Sequence, residues 1–75
     1  MQEDRRRFIG EAMKKLLPLD ATLLTLFYLK QLNLEEIGEV VGVKAEAVKV
    51  KLFRARKRLG KELELILAGE VQEIL

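Results

Sequence analysis

The chain has 75 residues, 14 of them Lys or Arg and 12 Asp or Glu, with no Cys and no His, for a net charge of +2. A chain this short buries only about 60% of its unfolded surface, which leaves room for one core and one domain. Without Cys or His it has no disulfides, thiolate nucleophiles, ordinary zinc sites or imidazole acid–base chemistry, and no catalytic, cofactor-binding or metal-ligating residues are expected.

An apolar share of 49% beside a charged share of 35% suits a small helical bundle and is too hydrophobic for a disordered chain. No apolar run approaches the roughly 18 residues of a membrane span, and the N-terminus lacks the apolar core of a signal peptide, so a cytoplasmic protein is expected. The fold class predicted is all-α, a bundle of four or five helices without a wing.

In the first segment Phe8, Ala12 or Met13, and Leu16 recur at helical spacing. They predict a helix over about 4–16, capped by Asp4. Arg5, Arg6 and Arg7 fall in its first turn, where the dipole does not favour cations; they read as a solvated face, as the remnant of a linker or as an added phosphate contact.

Leu17-Pro18 ends that pattern. Pro18 and Asp20 suit the first turn of a second helix, predicted over about 19–31. Leu23, Leu24, Leu26, Phe27 and Leu29 make it apolar almost all round, which predicts burial on most sides, with Phe27 and Tyr28 in the core.

Asn33 followed three residues later by Glu36 is a capping-box start for a short helix over 34–41. Its inner stripe is Leu34, Ile37 and Val41, and Gly42 is placed to end it in the left-handed conformation before Val43 turns inward. A longer helix begins near Ala45 and reaches at least Leu59, with Val48, Leu52, Ala55 and Leu59 on its buried face. A short helix, a glycine-bearing turn and a longer helix form a helix-turn-helix over about 34–59.

Charge concentrates on that last helix. Residues 44–61 carry eight cations and one anion, a local +7, whereas residues 62–75 carry four anions and no cation. Cations near a helix C-terminus are favoured by the dipole, which accounts for part of the RARKR run. It does not account for Lys44, Lys49 and Lys51 at the start and middle, a distribution that suits the phosphates around a groove-inserted helix. Glu46, Lys49, Val50 and Phe53 take the exposed side nearest the helix start, and Lys51, Arg54, Arg56, Lys57 and Arg58 flare around it.

The Leu17-Pro18 opening, the Tyr28-Leu29 to Leu32 run, Glu36-Ile37, Gly42-Val43, Val48-Lys49 and Arg54-Ala55-Arg56-Lys57-Arg58-Leu59 occur in one order over roughly residues 8–63. That ordered set closely resembles region 4 of bacterial sigma factors of the extracytoplasmic-function (ECF) group. The resemblance implies a domain that binds the minus-35 element of double-stranded promoter DNA while docked on the β-subunit flap of RNA polymerase; an anti-sigma factor is a candidate partner for the tail. By position, Ala45, Glu46, Lys49 and Val50 face bases, and Lys44, Lys51, Arg54, Lys57 and Arg58 face phosphates.

The chain departs from the usual pattern at Lys44, where Ser or Thr caps the helix, and at Ala47 and Val50. Ala and Val suit thymine methyls, Lys49 suits guanine and Glu46 suits cytosine. A complete sigma factor also needs region 2, which the resemblance puts upstream of Met1.

The tail after Gly60 predicts a further helix over about 61–74, with Leu63, Ile66 or Leu67, Val71 and Ile74 at helical spacing and Gly60 and Gly69 as points of kink or early stop. It reads in two ways: folded back on the first helix to complete the core, or exposed as an apolar stripe for a partner or for self-association. Two other functions share part of the pattern. One is the helix-turn-helix effector domain of a response regulator or repressor, and the other a helical bundle that binds an acidic protein instead of DNA.

Overall fold

The structure is a computed structural model that describes the backbone of residues 2–74 and the side chains of residues 5–69. It contains four helices, with no strand among the described residues: α1 (Gln2–Lys14), α2 (Pro18–Leu24), α3 (Leu34–Val41) and α4 (Ala45–Ile74). A π-helical turn, Thr25–Leu29, extends α2. The all-α expectation is met.

α1 stops two residues before its predicted end, and the reason is Pro18. The residue before a proline is pushed out of the helical region, and Leu17 is extended at φ −61° and ψ 145°. The chain tightens first, through bonds from the Lys15 amide to Ala12 O and from the Leu16 amide to Met13 O, both 3.1 Å. Ala12 is fully buried, and Met13 and Leu16 pack against the core. The predicted cap, Asp4, lies outside the described side chains.

α2 departs most from its prediction. From Thr25 the helix widens, with the Lys30 amide bonding Thr25 O five residues back at 3.1 Å and the Leu32 amide bonding Leu26 O six back at 3.0 Å. A turn that takes up extra residues slips the phase of the apolar stripe. Leu26 and Phe27 keep their contact with the core, but Tyr28 is 48% and Leu29 75% exposed, which corrects the expectation that this helix is buried on most sides. Gln31 closes the segment in the left-handed conformation at φ 56°, a role usually given to glycine.

α3 forms where predicted. Asn33 Oδ1 accepts from the Glu36 amide at 2.8 Å, and Glu36 Oε1 accepts from the Asn33 amide at 3.0 Å, the reciprocal pair of a capping box. Gly42 ends the helix at φ 79°. The next turn folds so tightly that a Cβ on Gly38 would overlap the carbonyl oxygen of Val43, whose amide bonds Gly38 O at 3.0 Å. Gly38 therefore lets the two helices of the motif approach each other.

Leu23, Leu24, Ile37, Val48, Leu52 and Ala55 are the buried core, with Leu34, Val41, Val43 and Leu59 packed around them. Each fully buried aliphatic side chain of this layer contributes about 1.5–3 kcal/mol relative to leaving it in water. α4 contributes three of the six and touches all three other helices.

α4 also corrects the prediction of a separate tail helix. It runs without interruption for 30 residues through Gly60 and Gly69, so the long dimension of the molecule, 47 Å, matches the roughly 45 Å of such a helix. The tail does not fold back; α1 packs against α4 instead. Leu63 and Ile66 are half-buried, whereas Leu65 and Leu67 are exposed. Val71 and Ile74 lie outside the described side chains.

Candidate nucleic-acid interface

The first turns of α4 are held from three directions. Val48 and Leu52 anchor the helix in the core, the Val48 amide bonds Lys44 O at 3.0 Å to begin the helical ladder, and the close approach at Gly38 fixes its start against α3. A rigid support of this kind presents one side of the helix at a defined angle. On that side Glu46, Lys49, Val50 and Phe53 are exposed, as their spacing predicted.

Glu46, Lys49 and Val50 come together along one open cleft of about 630 Å³, bounded by Phe27, Leu34 and Phe53 and lined mainly by apolar atoms. Ala45 is not part of it. It is half-buried in a shallow notch between α3 and α4, beside Gly42, Val43 and Lys44. Of the four residues assigned to bases, three share a face and the fourth sits at its edge.

The cations divide more sharply. Lys44, Arg54 and Lys57 are exposed, and Lys51 is half-buried. The Lys57 ammonium stands over the Phe53 ring at 4.7 Å, and the Arg56 guanidinium lies 5.8 Å from the Tyr28 ring centre. Arg58 turns away from them: its Nη1 donates to Oδ2 of the buried Asp20 at 2.7 Å. The structure thus gives Arg58 an intramolecular partner that sequence reasoning did not foresee.

Two residues of this face carry no assigned role from the sequence. Phe53, 59% exposed, is the largest apolar side chain on the outer face of the helix, and Arg56 rims the same cleft. Phe53 was legible as exposed from helical phase, but nothing in sequence spacing showed that Phe27 and Leu34 would wall the space beside it.

A family model described as sigma-70, region 4, matches residues 7–59. The chain belongs to the sigma-70 region 4 family. The match takes in α1 from its second turn, all of α2 and α3 and the first half of α4, the part that builds and carries the basic helix. No curated protein and no solved structure matches the chain significantly.

Region 4 is a DNA-binding regulatory domain of transcription initiation that recognises the minus-35 region of promoters, and its family is not one of enzymes. Lys44, Lys49, Arg54 and Lys57 are exposed on α4. Among the described residues no helix of region 4 is long and apolar enough to cross a membrane, and no group of acidic side chains is arranged to hold a metal ion. The second half of α4 lies beyond the matched residues.

Proposed function

We propose that this region 4 belongs to a cytoplasmic, bacterial sigma factor of the ECF type and reads the minus-35 element while docked on the β-subunit flap of RNA polymerase. In this reading α4 enters the major groove with Glu46, Lys49 and Val50 toward base edges and Ala45 at the margin. Lys44, Lys51, Arg54 and Lys57 neutralise phosphates on either side, and Arg58 ties the middle of the helix to α2 through Asp20. The observation that carries the reading is the basic helix itself, projecting a continuous exposed face from a family-matched helix-turn-helix.

A protein partner is in keeping with the apolar side chains left outside the core. Leu17, Leu19, Tyr28 and Leu29 are exposed on α2 and its flanks, more than a domain devoted to DNA alone requires. An anti-sigma factor would find the same surface available.

The test is binding at one fixed salt concentration to a minus-35 duplex and to a scrambled duplex, together with capture of polymerase core enzyme with and without the flap tip. The reading predicts a preference for the first duplex and flap-dependent capture. Equal affinity for both duplexes would count against base reading, and flap-independent capture against the docking site.

A further inference from the structure

Along the outer side of α4, Val50, Phe53, Lys57, Gly60, Glu64 and Leu67 follow one another at intervals of three, four, three, four and three residues, and all six are exposed. An alternation of three and four keeps a seam on one side of a helix, the arrangement by which two helices pair along their length. This seam complements itself when reversed about Gly60. Phe53 and Leu67 are each seven residues from that glycine, and Lys57 and Glu64 lie three before and four after it.

Reversal brings Phe53 opposite the second copy's Leu67, Lys57 within one residue of the position opposite its Glu64, and Gly60 opposite itself. Neither Lys57 nor Glu64 has an ion-pair partner among the described residues. Among the described residues nothing lies within 4 Å of a Cβ at Gly60, so none of their contacts explains a glycine in the middle of a 30-residue helix. A crossing of two backbones would explain it, because a residue without Cβ admits the closest approach.

Charge decides the direction. Residues 44–61 carry +7 and residues 62–75 carry −4, so an antiparallel pair sets each basic half against an acidic half, whereas a parallel pair sets like against like. In such a pair the second copy's Leu67 would face Phe53, which borders the cleft shared with Phe27 and Leu34.

From this self-complementarity we infer that two copies of the chain associate through an antiparallel pair of α4 helices whose twofold axis passes near Gly60. The contact is isologous and closed, so it ends at a dimer. It covers Val50 and Phe53, and the dimer therefore excludes the minus-35 duplex; this consequence rests on the proposed function, while the dimer itself does not. Dimerisation would hold the domain off DNA at high concentration until a duplex draws the monomer away.

The dimer is tested first without DNA. Sedimentation equilibrium of the chain over a range of concentrations should show a monomer–dimer equilibrium, and a monomer at every concentration would overturn the inference. The chain has no cysteine, so Gly60→Cys should cross-link under mild oxidation. Gly69→Cys should not, because antiparallel copies hold those positions ~27 Å apart. Equal cross-linking at the two positions would mean a parallel pair and would also overturn it.

Glu64→Lys should weaken the dimer about tenfold, since both symmetry-related ion pairs become repulsions. Lys57→Glu combined with Glu64→Lys should restore it, and a double variant as weak as the single one would remove Lys57–Glu64 from the interface. Added minus-35 duplex should convert wild-type dimer to DNA-bound monomer, and a dimer that binds duplex intact would overturn the exclusion. If monomeric Glu64→Lys bound no duplex at all, the failure would belong to the proposed function and leave the dimer standing.

Discussion

Arg58, midway along α4, donates from Nη1 to Oδ2 of Asp20 in the first turn of α2 at 2.7 Å, joining residues 38 positions apart in the chain. The Asp20 side chain is 9% exposed and that of Arg58 54%, so the carboxylate is taken from water while the guanidinium keeps half its hydration. The bond pins the start of α2 to the helix that carries the basic face.

Arg58→Ala should therefore lower the stability of the domain by about 1–3 kcal/mol, the range for losing a charge-assisted bond to a buried carboxylate when the other partner is partly solvated. Urea unfolding measures it. The same variant should keep the salt dependence of duplex binding, whereas Arg54→Ala should lower that slope by about one unit. A reduced slope without loss of stability in Arg58→Ala would return Arg58 to the phosphate-facing set.

Two glycines of similar sequence appearance should respond with opposite signs. Gly38→Ala pushes a methyl into the Val43 carbonyl and should destabilise by about 1–3 kcal/mol, the usual cost of overpacking. Gly60→Ala meets nothing and should stabilise the monomer by about 0.5–1 kcal/mol through helix propensity alone. Thermal unfolding of both at low concentration checks the pair, and a stabilised Gly38→Ala would mean that the turn between α3 and α4 is looser than described.

Adjacent residues on α4 make a sharper test of its orientation. Leu52 is 5% exposed and belongs to the core, whereas Phe53 is 59% exposed. Leu52→Ala should cost about 2–5 kcal/mol, enough to unfold a domain this small, and Phe53→Ala far less. Equal losses would show that the helix is rotated about its axis.

Glu46 is the single anion among residues 44–61, and its replacement separates base reading from general attraction. Glu46→Ala removes a repulsion with phosphate and should tighten binding to a scrambled duplex. If Glu46 accepts from a cytosine, the variant should also lose about 1–3 kcal/mol of discrimination at that base pair. Affinities on specific and scrambled duplexes at the same salt give both quantities, and a parallel gain on the two would show that Glu46 reads no base.

Much of this protein was written in local terms. The capping box of Asn33 and Glu36, the left-handed Gly42 and the buried phase of Val48, Leu52 and Ala55 depend on contacts three or four residues apart, so the sequence alone determined α3, the turn and the inner face of α4. The density of cations on residues 44–61 likewise needed no fold to be seen.

What the tertiary structure decided are contacts between residues far apart in the chain. Helical periodicity assumes a constant turn, and the π turn at Thr25–Leu29, closed by a left-handed Gln31 that carries no glycine signal, rotated Tyr28 and Leu29 out of the core. Gly60 reads as a breaker by propensity, yet a helix anchored over its first half by packing extends through it, since one glycine costs only about 1 kcal/mol. Arg58 looked like one cation among five. Only the placement of α2 beside α4 brought Asp20 within reach of it and turned a surface charge into an internal tie.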